Sequence, residues 1–539
     1  MLAVRWHRLL QVAAPASALL LLWLAGCARS HPPAGAGRGS SSSRSATARS
    51  AADPPARQAP ASPPRLPMLG GRRPTLSRLV SASRSANLVI CVLDAARADH
   101  FGCYGYPRDT TPNLDRLARE SVIFREHFST CSSTKPSTAS LFTGLYPDAH
   151  RIVERGALEE GVFTLAGGLK AAGWHTALFS SNVNASPEVG LGAGFEVVVP
   201  ARSGGVGKGE TDLPEGSPVG ATPEGTPWDK PEWLTEAFAK WLAERRPSRF
   251  FAYIHLLPPH TPYEAPEALM RAVVKKKAPP IARGRFEFPA TAPTGMSMRD
   301  RQRYALDKWA DLYDANLRWG DWGAGEVVRA LRERGLLDNT LLIVTADHGE
   351  AFGEHGYLYH MHGVYGELVH IPLVMRFPGR RRLVGEVSAL TQTVDLLPTI
   401  CDLYQVPYPR KHVQGSSLLP VLEGERRDVR DYVFATSEMV WPSYLISDSQ
   451  WSLILYRGGK MKALYNLGDD PGERRNVIAA HPEVLVKMTA AFESFARTQG
   501  RPISDFASPL AAAAPEPRQP GHKLSEKTRR ELKALGYVE

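Results

Sequence analysis

The chain has 539 residues, 43% of them hydrophobic and 22% charged, with only 5 Cys; this excludes a chain disordered throughout and a disulfide-held scaffold, and the length exceeds one simple core. The formal net charge of +10 is unevenly placed. Residues 1–85 hold twelve Arg, no Lys and one acid, Asp53, which leaves 53 basic against 54 acidic residues beyond them, a net of −1. A near-neutral body excludes an electrostatic nucleic-acid binder, while the basic N-terminal arm suits a place near anionic lipid or polymer.

Arg5, His7 and Arg8 precede a Leu- and Ala-rich run ending in Leu24-Ala25-Gly26-Cys27. A positive start, a short apolar stretch and small residues before a cleavage point make a secretory signal, and the uncharged run from Leu9 to Gly26 is at the lower limit for spanning a bilayer. Leu-Ala-Gly-Cys resembles the bacterial lipoprotein processing box, which implies export, a lipid on Cys27 and attachment to the membrane of the cell envelope. Residues 28–85 are Ser, Pro, Gly, Ala and Arg with few large apolar side chains, and so form a flexible tether. Four other cysteines, Cys91, Cys103, Cys131 and Cys401, lack metal-site spacing; disulfides and buried thiols both remain open for them.

The ordered body begins at Asn87–Leu93, a continuous apolar run of the kind buried on both faces of a parallel sheet. Comparable runs recur at Thr176–Ser180, Phe250–Leu257, Leu341–Thr345 and Pro372–Phe377. Between them lie segments with helical period: Asn113–Val122, Phe163–Ala172, Trp233–Arg245, Asp300–Arg334 and Val394–Leu403. This alternation predicts an α/β fold with a large, mostly parallel sheet flanked by helices. Ala201–Pro227 and Lys275–Pro293 are surface insertions by composition. After residue 430 come short strands at Tyr432–Thr436, Ser443–Ile446 and Trp451–Tyr456 and a helix at Pro482–Ala496. The chain thus divides into a main domain over 86–430, a small α+β subdomain over 431–500, and a Pro- and Ala-rich tail over 501–539 in which Leu524–Leu535 can form one more helix.

Ligands of open α/β sheets sit at the carboxyl ends of strands. Asp94 follows the first strand and Asp347-His348 follow Leu341–Thr345, so two carboxylates and an imidazole emerge where a divalent cation can be held. Pro136 suits the start of a helix, which puts Thr134 or Lys135 at a helix N-terminus, where free N–H groups and the dipole stabilise an anion or an ionised hydroxyl. Five of the 16 histidines lie in two short stretches: His255 and His260 flank Leu-Leu-Pro-Pro, and His355, His360 and His362 follow Asp347.

Taken together, these segments resemble the sulfatase-type branch of the alkaline phosphatase superfamily. The resemblance runs from Asn87 to Glu483. It rests on Asp94-Ala-Ala-Arg-Ala-Asp-His-Phe-Gly-Cys-Tyr-Gly105, Thr111-Pro-Asn-Leu-Asp-Arg-Leu-Ala118, Pro136-Ser137, Ser140-Leu-Phe-Thr-Gly-Leu-Tyr-Pro147, Pro259-His-Thr-Pro-Tyr263 and Thr345-Ala-Asp-His-Gly-Glu350. Asp395-Leu-Leu-Pro-Thr399, Gly415-Ser-Ser-Leu-Leu-Pro420 and Leu464–Glu473 continue it downstream. The resemblance implies an alkaline phosphatase-like fold and a metal-dependent hydrolase of anionic sulfate or phosphate esters. It implies Asp94, Asp347 and His348 as metal ligands and Thr134, two residues before Pro136, as nucleophile and further ligand. His260 and His362, the latter ahead of Gly363, would contact the transferred group or protonate the leaving oxygen, and Arg97 would pair with nearby acids.

The chain departs from the formylglycine sulfatases at the reacting position. Those carry Cys or Ser where Thr134 stands and Arg where Thr138 stands, and usually Asp and Asn where Ala95 and His348 stand; Cys131 lies three residues too early to substitute. Formylglycine chemistry is therefore not expected, and the set of two Asp, one His and one Thr resembles the family's phosphodiesterases and phosphotransferases. A threonine alkoxide can displace an ester at phosphorus and leave a covalent intermediate for water or another acceptor to resolve. One nitrogen with several oxygens fits Mn²⁺ or Zn²⁺ better than Ca²⁺. A second metal stays open, because Pro258 and Pro259 stand where many relatives have an acid before the histidine. Two other readings accompany hydrolysis: an envelope phosphotransferase moving a head group to lipid or glycan, and a catalytically silent protein binding anionic polymers. Substrate identity rests with loops whose shape the sequence does not give.

Overall fold

Period-two and continuous apolar runs build two sheets of very different character. The strands in chain order are β1 (Asn87–Leu93), β2 (Val122–Phe128), β3 (His175–Ser180), β4 (Val197–Val199), β5 (Phe250–Leu256), β6 (Thr340–Ala346), the short ribbon pair β7 (Ala351–Phe352) and β8 (Leu358–Tyr359), β9 (Leu373–Arg376), β10 (Gly385–Gln392), β11 (Val433–Ser437), β12 (Ser443–Ser447), β13 (Trp451–Tyr456) and β14 (Lys462–Asn466). The longer helices are α1 (Pro112–Ala118), α2 (Thr134–Thr143), α3 (Leu165–Ala171), α4 (Pro231–Arg245), α5 (Glu267–Val273), α6 (Met298–Glu333), α7 (Leu396–Tyr404) and α8 (Pro482–Thr498). The structure, a computed structural model, describes residues 80–81, 83–199, 230–274, 298–379, 383–437, 442–456 and 462–499. The signal region with Cys27, the tether up to residue 79, both insertions and the tail with Leu524–Leu535 lie outside the described residues.

The large sheet has the order β10-β2-β9-β6-β1-β5-β3-β4. All its pairings are parallel except those of β9, which runs antiparallel to both neighbours, β2 and β6. Every residue of β1, β5 and β6 is buried. Alternate residues of β1 serve opposite faces, as the pleat requires. Leu88, Ile90 and Val92 join Leu141 and Phe142 of α2, Leu165 and Leu169 of α3 and Ile400 and Leu403 of α7. On the other face Val89, Cys91 and Leu93 meet Leu114 of α1, Phe238 and Trp241 of α4 and Tyr313 and Leu317 of α6. Each fully buried side chain of this size contributes about 1.5–3 kcal/mol relative to exposure.

The second sheet is an antiparallel meander, β11-β12-β13-β14. Ala435, Leu445 and Ile454 cover Phe128, Val364 and Leu368 on one face. Tyr444, Ile446, Leu453, Leu455 and Leu464 lie under Met488, Phe492 and Ala496 of α8 on the other. Its edge strand β11 is tied to the loop that leads into α2: the Thr436 N–H donates to the Thr130 carbonyl at 3.0 Å, and the Ser132 N–H donates to the Thr436 carbonyl at 3.3 Å. The small sheet therefore buttresses the start of α2.

Two local readings change, and one left open is resolved. The helix expected over Asn113–Val122 ends at Ala118, and Val122 opens β2, because Val122-Ile-Phe124 pair with β9 and β10 and tertiary pairing outweighs a weak helical period. The strands β2, β4, β7, β8, β10 and β14 add to those read from the sequence. Cys91, Cys103, Cys131 and Cys401, for which disulfides and buried thiols were both open, form no disulfide among the described residues.

Phe142 fixes α2 against the sheet, its ring meeting Tyr253 of β5 edge-on at 4.7 Å between centroids. Phe142→Ala is expected to lower stability by about 3–5 kcal/mol, measured by denaturant unfolding; a loss below about 1 kcal/mol would mean that α2 is anchored elsewhere.

Candidate active site

Asp94 directly follows β1, and Asp347 and His348 directly follow its neighbour β6, so the parallel register brings both acids to one edge. One ligand atom from each of Asp94, Asp347 and His348 lies within 4.8 Å of the others, and all three residues are buried. The details fit a cation. Asp347 Oδ1 accepts the N–H groups of Ala95 at 3.0 Å and His348 at 2.9 Å, whereas Asp347 Oδ2 is buried with no hydrogen-bond partner. Asp94 Oδ1 is likewise buried without a hydrogen bond. His348 Nδ1 lies 2.8 Å from the Gly349 carbonyl, which fixes the proton on Nδ1 and leaves the Nε2 lone pair inward. Two orphaned carboxylate oxygens and one imidazole nitrogen thus converge. Buried charges of this kind are stable only when paired or metal-bound.

Thr134 is the first residue of α2, with Ser133 as the preceding cap, and Pro136 stands third, where its missing N–H has no intrahelical partner to lose. The Thr134 hydroxyl is fully buried and lies 3.2 Å from His348 Nε2. Ser129 holds this helix start in place: its Oγ donates to the Asp347 carbonyl at 2.5 Å and lies 2.9 Å from Ser137 Oγ of α2. The predicted quartet Asp94, Thr134, Asp347 and His348 is therefore one cluster, with the positive end of the α2 dipole at its side. Lys135 turns away, donating to the Gly156 carbonyl at 3.3 Å, and burial lowers its pKa.

The histidines divide. His260 is buried, its N–H donating to the Asp94 carbonyl at 3.1 Å and its Nδ1 2.5 Å from the Thr261 carbonyl, and its charge acts on Asp94. Its ring lies 5.0 Å from that of His360, which packs at 4.3 Å against His348. Glu350 Oε1 holds His360 Nδ1 at 3.0 Å. The structure brings His360 rather than His362 against the cluster; the His362 ring makes no hydrogen bond and faces Tyr357 at 5.6 Å. Left-handed backbone at Tyr359 (φ 68°) and Met361 (φ 74°) on either side of His360 breaks the local alternation and turns the intervening ring inward. Arg97 pairs with Asp99 and Glu354 and donates to the Glu350 carbonyl, not to the ligand acids. His255, on β5, and Asn182, after β3, also reach Asp94. The histidine was visible only as one of a pair flanking prolines, and an Asn two residues beyond a strand carries no spacing signal.

Electrostatics favour an ionised Asp94. Burial alone raises the Asp94 carboxyl, but His260, His255 and His348 outweigh it and hold it well below the usual carboxylate range. Burial pushes Glu350 up to about 7, against the opposing pull of His260 and His348. Burial, with the neighbouring His348 and His260, holds His360 well below the usual histidine range, which makes it neutral at pH 7.

Residues 86–406 match the family model described as Sulfatase, and residues 353–496 match N-sulphoglucosamine sulphohydrolase, C-terminal. The chain is 29% identical over 410 residues to the multifunctional alkaline phosphatase superfamily protein PehA of Trinickia caryophylli, covering 64% of this chain and 78% of that protein. It is 27% identical over 466 residues to arylsulfatase A of Homo sapiens, covering 75% and 87%. Its fold matches the crystal structure of the phosphonate monoester hydrolase of Agrobacterium radiobacter with a TM-score of 0.60 at 24% identity, over 77% of this chain and 96% of that one. With the family model spanning more than half its length, the chain belongs to the sulfatase family of the alkaline phosphatase superfamily, hydrolases of sulfuric and phosphoric ester bonds.

Proposed function

We propose that this chain is a metal-dependent hydrolase in which the Thr134 hydroxyl attacks the sulfur or phosphorus of an anionic ester. The observation that carries the reading is the placement of Thr134 Oγ1, 3.2 Å from His348 Nε2 at a helix N-terminus and beside two carboxylates with orphaned oxygens. Asp94, Asp347 and His348, with Thr134, would hold the ion, Mn²⁺ or Zn²⁺ by donor type. Bound there, a divalent cation supplies a Lewis acid that polarises a non-bridging ester oxygen and favours the ionised hydroxyl.

The chain's own groups do the rest. Thr134 Oγ1, its proton released to water, forms a bond to the central atom as the ester oxygen leaves, and the N-terminal N–H groups of α2 stabilise charge on the equatorial oxygens. Because His260 Nδ1 is committed to the Thr261 carbonyl, proton delivery to the departing alcohol falls to its Nε2. Water then attacks the covalent intermediate, breaking the bond to Thr134 and releasing sulfate or phosphate. Without Arg at position 138 and without Cys or Ser at 134, a hydrated aldehyde that expels sulfate by collapse has no precursor here. Ala95, with φ 60°, directs its N–H to Asp347 instead of supplying a further ligand.

Thr134→Ala is expected to abolish turnover across a panel of aryl sulfates, phosphate monoesters and phosphodiesters while metal content stays intact. Full activity in that variant would overturn the nucleophile assignment. A wild-type protein that releases product only when an acceptor alcohol is supplied would instead be a transferase. One that turns over nothing in either assay would be a binding protein. Mn²⁺ or Zn²⁺ at 100 times its dissociation constant should stabilise the wild type by about 2.7 kcal/mol, read as a rise in Tm. Asp347→Ala should show no such rise, and an equal rise in it would place the ion elsewhere.

The proposed setting is the cell envelope, through a lipid on Cys27, supported by the Leu24-Ala-Gly-Cys27 sequence behind a basic, apolar leader. In cells fed labelled fatty acid, Cys27→Ser should remove both the label and the membrane association. Persistent labelling would refute the anchor.

A further inference from the structure

We infer that Asn182 and His255 are positioning residues that set Asp94 as a one-oxygen ligand for the cation, an inference that rests on the metal site proposed above. Asp94 and Asp347 are held in parallel ways by unlike means. Each carboxylate accepts two donors on one oxygen and leaves the other without a hydrogen bond. For Asp347 both donors are backbone N–H groups, of Ala95 and His348, which no substitution other than Pro removes. For Asp94 both are side chains: Asn182 Nδ2 donates to Oδ2 at 2.5 Å, and His255 Nε2 lies 3.1 Å from the same oxygen.

Each of these donors is itself oriented. The Asn182 amide oxygen accepts the Asn184 N–H at 2.8 Å, so the amide nitrogen must face Asp94. Its own backbone N–H is held by Ser180 Oγ at 3.1 Å. His255 Nδ1 lies 3.0 Å from the Tyr253 hydroxyl, which can donate to it and so place the histidine proton on Nε2, toward Asp94. Tyr253 is in turn packed edge-on by Phe142 of α2. Asp94, Asn182 and His255 are all fully buried, so water cannot replace a missing donor without new space. The same Asn182 nitrogen lies 3.5 Å from Thr134 Oγ1, which links the proposed nucleophile to the ligand it adjoins.

With Oδ2 occupied twice, rotation of the carboxylate about its last torsion is blocked and Oδ1 is presented alone. Removing either donor frees that rotation. Outer-shell donors to metal ligands typically govern affinity by 10–100-fold.

The test is calorimetric titration of the metal-free full chain with Mn²⁺ and, separately, Zn²⁺. Asn182→Ala and His255→Leu should each weaken binding by about 10–100-fold. His255→Gln, whose amide can still donate to Oδ2, should recover most of the loss. Asn182→Asp, which sets an acid against Asp94 in place of a donor, should bind more weakly than Asn182→Ala. Circular dichroism of each metal-free variant separates lost affinity from lost fold, and His255→Gln provides a folded comparison if His255→Leu does not fold. Wild-type binding with unchanged affinity in the folded variants, or a His255→Gln no better than His255→Leu, would overturn the positioning role. A wild type that takes up neither ion would overturn the metal reading itself, a result distinct from the first.

Discussion

Two aspartates buried at the ends of adjacent strands are the constraint around which this molecule is arranged. Ionised carboxylates removed from water are costly unless matched by donors and a counter-charge. Asp94 and Asp347 have their donors on one oxygen each and turn the remaining oxygens toward a common point with His348 Nε2. The parallel pairing of β1 with β6, Leu93 opposite Ala346, is what sets the two acids side by side. A slip of one residue along either strand would point one of them into the core instead.

The rest of the fold brings further groups to that point. The large sheet supplies Asp94, Asp347 and His348 from the ends of β1 and β6, and His255 of β5 and Asn182 after β3 against Asp94. The small sheet contributes no site residue, yet its edge strand pairs with the loop before α2 and so helps fix where Thr134 begins the helix. Ser129 joins the same helix start to the Asp347 backbone. Left-handed backbone at Ala95, Tyr359 and Met361 clusters at this one place, where each residue directs an N–H or a neighbouring ring into the site. Strain of order 1–3 kcal/mol per residue persists only where the surroundings over-determine it.

Family membership and local chemistry carry different parts of the functional conclusion. The family accounts for a hydrolase of sulfuric and phosphoric ester bonds. The residues that distinguish this chain are Thr134 for Cys or Ser, Thr138 for Arg, Ala95 for a second Asp and His348 for Asn, and all act in one direction. On the proposed reading they remove the components of an aldehyde-hydrate mechanism and leave the Thr134 hydroxyl beside a candidate cation site. His360, held by Glu350, lies between the rings of His260 and His348 and packs against the cluster.

The sequence by itself determined the α/β class, the main helices and which residues form the candidate metal cluster. Continuous apolar runs can be buried only in a covered parallel sheet, and Asp94, Thr134, Asp347 and His348 sit beside turns and helix starts whose chemistry is local. Tertiary structure alone decided what depends on neighbours distant in the chain. β9 was legible as a strand, but its reversed direction follows from how its connections pass, not from its composition. The helical period before Val122 yielded to pairing with β9 and β10. Asn182 and His255 became part of the site only because β3 and β5 lie beside β1, and His360 replaced His362 against His348 because two left-handed residues turn the loop. Short-range patterns encode which surfaces must be buried and which groups carry charge; the partners those groups meet are fixed only when strands far apart in sequence pair.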